Sequence, residues 1–194
     1  MLLYFSPGAC SLADHIALYE AGLKFDLEKV ELKGHKLEDG SPLSTVTTKN
    51  YVPVLKLDDG EILTENVAIL AYIADLAPAL IPPGPLGRYR LLEMLAYIAT
   101  EIHKAFHPLF HGAPEPEKKQ AIAAIGKRLD YIAKVFKGPH LFGEKATVAD
   151  AYLFVMLLWA LRNKLPVPEP LPAFAERMRS RPTVQAALKH EGLH

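Results

Sequence analysis

Cysteine is almost absent, with Cys10 the single example in 194 residues. No intrachain disulfide can therefore form, and a cluster of thiolate metal ligands is excluded. A lone thiol near the N-terminus fits a reducing compartment. Net charge is absent too, because 22 basic and 22 acidic residues cancel. That balance argues against nucleic acid or an anionic membrane as the main partner. Blocks of like charge are also missing. Glu117-Lys118-Lys119 is short and mixed, as on a solvated helix face. The strongest apolar run, Ala151 to Leu161, ends at Arg162, well short of the ~18 residues of a membrane span. No basic stretch leads into an apolar one at the N-terminus, as a secretory signal requires. The expectation is a soluble cytoplasmic protein with no nucleic-acid or membrane partner.

What is present suffices for a full core, since 50% of the residues are hydrophobic. Leu2-Leu3-Tyr4-Phe5 reads as a buried strand ended by Pro7-Gly8. Leu12, Ile16 and Tyr19 recur at helical spacing and predict a helix over residues 11–20, closed by Gly22. Phe25 to Leu32 reads as a strand whose alternation slips between Leu27 and Val30, which predicts a bulge. Val54 to Leu57 and Glu61 to Leu63 flank Asp58-Asp59-Gly60 as a hairpin. A helix follows from Glu65 to Ala77 and stops at Pro78.

Pro78, Pro82, Pro83, Gly84 and Pro85 mark a linker. Beyond it every pattern is helical. Leu91, Leu92, Leu95, Ile98, Ile102 and Phe106 predict one long helix, and Ile122 to Phe136 a second. Shorter helices are expected over residues 148–161, 171–180 and 183–189. The fold class is thus α/β plus all-α. An α/β unit covers residues 1–79, a linker covers 80–86 and a helical domain covers 87–194.

Three short motifs carry the chemistry. Ser6-Pro7-Gly8-Ala9-Cys10-Ser11 offers a thiol and a hydroxyl at a helix start, where free N–H groups and the helix dipole favour a thiolate. Tyr51-Val52-Pro53 can present a strand-like backbone edge to a peptide. Thr64-Glu65-Asn66 sets a carboxylate and backbone donors at another helix start, which suits an amino-acid head group. Each has a plainer reading: Cys10 as a small core residue, Ser11 and Glu65 as ordinary first-turn residues. His103, His107 and His111 stand four apart, as metal ligands on a helix do. Pro108 lies among them and no carboxylate accompanies them, so no metal site is expected. Thr147-x-x-Asp150 before an apolar run is a capping box and is structural. Tyr152, Met156 and Trp159 read as core.

The chain resembles the cytosolic glutathione transferases, and the bacterial beta class in particular. The resemblance lies in the segments Tyr4 to Leu12, Glu101-Ile102-His103-Lys104, Thr147 to Phe154, and the ending Arg181-Pro182 with Glu191-Gly192-Leu193. It implies a thioredoxin-like N-terminal domain with a four-stranded mixed sheet, a homodimer, and glutathione as cosubstrate for a small, mostly apolar electrophile. Carried over by motif, Cys10 should lie beside the glutathione sulfur, with Ala9 among the glutathione-binding residues. Val52 should bond its cysteinyl backbone next to a cis Pro53, and Glu65 with Asn66 should hold the γ-glutamyl end. His103 and Lys104 should face the same thiol, and His35 should take the place of a lysine at the glycine carboxylate. Thr47-Thr48-Lys49-Asn50-Tyr51, Asn66 and His35 depart from the usual pattern.

The implied activity is conjugation of the glutathione thiolate to an electrophilic carbon, with Cys10, Ser11 and His103 as the thiolate's stabilisers. Thiol–disulfide reductase or peroxidase chemistry through Cys10 is the enzymatic alternative. A non-catalytic ligand carrier on the same fold is another.

Overall fold

Short β-rich runs separated by single helical repeats leave little choice of topology in the first 76 residues. A computed structural model describes residues 1–193. Strand β1 (Leu2–Phe5) runs into helix α1 (Leu12–Glu20), then β2 (Asp26–Glu31) and β3 (Lys36–Leu37). Strands β4 (Val54–Lys56) and β5 (Ile62–Thr64) and helix α2 (Asn66–Leu76) complete the unit. Gly22 takes the left-handed φ of 65° just past α1, where a Cβ would be strained.

The sheet order is β3-β2-β1-β4-β5, with β1 and β2 parallel and the other pairs antiparallel. There are five strands rather than four, the extra one being the two-residue β3 at the edge. The expected bulge in β2 is also corrected. Its register runs unbroken from Leu2↔Asp26 to Phe5↔Lys29. Leu27 packs toward the helices with Leu3 and Phe5, whereas Val30 packs on the opposite face with Tyr4, Leu43, Val52 and Val54. Both faces of the sheet are covered, so apolar side chains are needed on either side and simple alternation is masked.

From residue 87 onward the described residues are helical apart from turns: α3 (Gly87–Tyr97), α4 (His107–Phe110), α5 (Glu115–Val135), α6 (Val148–Arg162), α7 (Leu171–Arg179) and α8 (Pro182–His190). The long helix expected through Phe106 is not uniform. After α3 the chain widens into a π-helical stretch at Ile98–His103, then tightens into a 3-10 turn at Lys104–Phe106. The wider turn accommodates the four-residue steps from Ile98 to Ile102 to Phe106, and all three side chains are fully buried.

Helix α6 is buried almost all round from Val148 to Leu157, which accounts for the apolar run in the sequence. Its capping box forms: the Asp150 carboxylate accepts from the Thr147 N–H and hydroxyl, each at 2.7 Å, and from the Leu141 N–H at 2.8 Å. Helix α1 packs against both α6 and α8, so the residues that follow β1 are gripped by the helical part of the chain. Among the described residues no helix is long and apolar enough to cross a membrane.

Candidate functional site

The turn between β1 and α1 brings Cys10 to the mouth of a cavity of about 380 Å³. Cys10 is half-buried, with Sγ 3.8 Å from the Val52 carbonyl oxygen. The thiol is not acidified as expected of a helix start. Burial pushes it up to about 12, and the nearby Asp14 and Glu65 carboxylates add to the rise. The N–H groups of Cys10 and Ser11 pull the other way and are outweighed. Asp14 is itself fully buried, and burial holds its carboxyl well above the usual range. Ser11 is fully buried; its hydroxyl accepts from the Ser6 N–H at 3.2 Å and faces the Ser6 carbonyl at 3.4 Å. Its geometry closes the turn. The Ala9 N–H also donates to the Ser6 carbonyl, at 3.0 Å.

Opposite the thiol lies the segment before β4. The Val52–Pro53 peptide is cis, and both residues line the cavity beside Tyr51. Glu65 caps the start of α2 with a φ of 72°. Its carboxylate accepts from Lys49 Nζ at 2.7 Å and from the Tyr51 hydroxyl at 2.6 Å, and these contacts hold its pKa below the ordinary range. The side chain of Asn66 turns inward. Its Nδ2 donates to the Cys10 carbonyl at 2.9 Å and to Asp14 Oδ2 at 2.8 Å, so it braces the thiol turn against α2. The start of α2, at Glu65 and Asn66, lines the same cavity, and its first N–H groups have no side-chain cap.

His103, at the end of the π-helical stretch, closes the cavity from the helical side. Burial lowers its pKa to about 4, so the ring is neutral at physiological pH. Its Nδ1 lies 2.7 Å from the Tyr152 hydroxyl, whose own pKa burial raises. His107 and His111 continue the wall, their rings stacked with centroids 4.0 Å apart.

One cavity therefore gathers Cys10, Val52, Pro53, Glu65, Asn66 and His103 from the sequence-based set. Lys104 lies instead on an adjoining cavity of about 320 Å³, lined also by Ala99, Phe110 and the three histidines. His35 is exposed on the turn between β2 and β3, where its carbonyl accepts from the Leu43 N–H at 2.7 Å, and it lines neither cavity. Ala9 and Ser11 sit behind the thiol rather than in the lining. Sequence reasoning missed Tyr51 as a partner of Glu65 and Tyr152 as a partner of His103. The four-residue step between His107 and His111 was the visible sign of a shared wall. Among the described residues no three His, Cys, Asp or Glu side chains converge as a metal site.

Comparisons with known proteins identify the family. Residues 9–76 match the glutathione S-transferase N-terminal domain, and residues 97–182 match the C-terminal domain. The chain is 46% identical, over the full length of both, to glutathione S-transferase GstA of Escherichia coli O157:H7. It is 46% identical to the structure of the bacterial beta-class glutathione S-transferase of Sphingomonas chungbukensis, with a TM-score of 0.91 and full coverage of both chains. A sphingomonad glutathione S-transferase solved in complex with glutathione is 45% identical, with a TM-score of 0.90 and full coverage of both. Family matches across both halves, and identity sustained end to end, establish that the chain belongs to the glutathione S-transferase family, in its bacterial beta class.

Proposed function

We propose that the protein conjugates the thiolate of glutathione to electrophilic small molecules. The observation that carries this reading is the convergence of Cys10, the Val52–Pro53 backbone, Glu65 and His103 on one cavity. Glutathione's cysteinyl backbone pairs with the main chain of Val52. Its γ-glutamyl ammonium meets the Glu65 carboxylate, and its α-carboxylate meets the free N–H groups at the start of α2.

The sulfur then lies between Cys10 and His103. With the Tyr152 hydroxyl donating to Nδ1, the neutral His103 ring carries its proton on Nε2 and donates toward the sulfur. The protonated Cys10 thiol is a second donor. Together they stabilise the anion as glutathione's S–H proton passes to solvent. The thiolate attacks the electrophilic carbon, a C–S bond forms, and the leaving group departs with its bonding electron pair. The high pKa of Cys10 favours this chemistry over disulfide exchange, which needs Cys10 itself as the anion. Turnover of glutathione with chlorodinitrobenzene, saturable in both substrates, is the test. Absence of conjugate with intact glutathione binding would leave the ligand-carrier reading.

The electrophile occupies the adjoining cavity, where Lys104, His107 and His111 face Ala99 and Phe110 with no acidic side chain in the lining. That wall suits an electrophile whose apolar body carries a carboxylate. The protein works in the reducing cytoplasm as a homodimer, with the domain of residues 1–79 of one protomer against the helical domain of residues 87–194 of its partner. Sedimentation at micromolar concentration should give twice the 21.4 kDa chain mass, and a single-chain mass would exclude this assembly.

A further inference from the structure

Two contacts grip the thiol turn from behind, and the reaction chemistry leaves both unused. The Gly8 N–H donates to Glu191 Oε2 at 2.8 Å, and the Gly8 carbonyl accepts from Trp159 Nε1 at 2.8 Å. The other Glu191 oxygen lies 2.8 Å from His15 Nδ1 on α1. Both side chains of that pair are fully buried. Gly8 stands at a φ of 70°, a left-handed backbone that favours glycine, and both clamp bonds fall on its backbone atoms. A residue of α6 and the residue just past α8 thus hold the two polar atoms of one glycine, two positions before Cys10.

Burying a carboxylate is costly, and a well-packed apolar side chain stabilises an interior at least as well. What a carboxylate adds is geometry: one rigid group fixes a loop N–H and an α1 imidazole together. The turn's remaining contacts stay within the N-terminal unit: Ala9 and Ser11 to Ser6, the first N–H groups of α1 to the Ala9 and Cys10 carbonyls, Asn66 to the Cys10 carbonyl, and the Cys10 thiol to the Val52 carbonyl. Among the described residues no other hydrogen bond ties residues 6–9 to the helical domain.

We propose that Glu191 is a positioning residue for catalysis. It sets the depth of the Ser6–Cys10 turn against α6, and with it the distance from Cys10 and the α1 N–H groups to the glutathione sulfur. Trp159 is the opposing jaw. The proposal rests on the conjugation reading. It predicts a separation of binding from chemistry, because the groups that grip the peptide, Val52 and Glu65, belong to other elements.

The test uses the full-length protein and its single tryptophan, Trp159, as a reporter of the clamp. Glu191→Ala is expected to lower kcat about tenfold or more through misplacement of the sulfur's donors. Glutathione Kd by calorimetry should stay within about twofold of the parent, as expected when only transition-state placement is lost. Trp159 emission should shift as its indole loses Gly8. Glu191→Gln should recover most of kcat, since its amide oxygen accepts from Gly8 and its amide nitrogen donates to His15 Nδ1 once that ring carries its proton on Nε2.

Trp159→Phe removes the other jaw, and it should give the same split between kcat and Kd. That variant decides the matter where Glu191→Ala does not fold by circular dichroism. Unchanged kcat and emission in Glu191→Ala would overturn the proposal. A loss of kcat that tracks lost stability, without rescue by Glu191→Gln, would do the same. If the parent binds glutathione but makes no conjugate, the conjugation reading fails separately. The emission shift and the alkylation rate of Cys10 in the variants then still report whether Glu191 sets the turn.

Discussion

Glu65→Ala is the most informative perturbation of binding. The Glu65 carboxylate is held by Lys49 and Tyr51 at 2.7 and 2.6 Å, and its side chain is 53% exposed. A charge-assisted hydrogen bond to a ligand ammonium is worth about 1.5–3 kcal/mol, and half-exposure with salt screening moves this one to the lower end. Glu65→Ala also leaves the Lys49 cation unpaired beside the incoming ammonium, which opposes binding further. The expected loss is about 1.5 kcal/mol, roughly tenfold in Kd. Glu65→Gln keeps an acceptor without the charge and should fall between. Calorimetric titration at two ionic strengths measures it. The gap between parent and Glu65→Ala should shrink as salt rises, because screening acts on the exposed part of the interaction. Affinity within twofold of the parent at low salt would refute the placement of the γ-glutamyl end at Glu65.

Lys104 on the wall of the second cavity predicts discrimination between a chloro-dinitrobenzoate and its methyl ester. The acid should have the higher kcat/KM, and Lys104→Ala combined with His107→Phe should lower the acid-to-ester ratio about tenfold, the scale of one lost charged contact. A ratio that does not move would remove the wall from substrate choice. Burial lifts the buried Asp150 carboxyl to about 6 from an ordinary 3.8. The folded state therefore keeps a proton that the unfolded state releases. This contribution is fully present below the lower value and is lost as pH rises through the upper one, about 3 kcal/mol in all. The Tm difference between parent and Asp150→Asn should shift in favour of the parent as pH is lowered from about 7 to about 5. A pH-independent difference would contradict it.

Much of this was legible in the chain because local rules and global packing agree. The Pro7-Gly8 turn, the Asp58-Asp59-Gly60 hairpin and the Pro78 stop each fall where the backbone breaks. The Thr147–Asp150 box was readable because capping is local chemistry. The site was legible to the extent that single segments carry it: Cys10, Val52, Pro53 and Glu65 each come with a neighbouring turn or helix start.

Departures arise where two distant segments meet. The thiol's pKa depends on burial and on Asp14, four residues along α1 and facing inward. His103 finds Tyr152 across the helical domain, and a π-helical stretch that no residue type announces sets the direction of its ring. Lys104 follows His103 in sequence, yet the tightened turn after that stretch sends it to the next cavity. Glu191 reads as part of a C-terminal signature, while its partners lie 176 and 183 residues away.

In the proposed mechanism glutathione's own sulfur is the nucleophile and Cys10 a protonated helper. Conjugation of chlorodinitrobenzene by Cys10→Ala, measured beside glutathione binding by the same variant, tests it most directly. The variant should bind glutathione and keep a substantial part of the parent's kcat, because His103 and the α1 N–H groups still stabilise the thiolate. Complete loss of conjugation with glutathione binding intact would contradict it and make Cys10 the essential group.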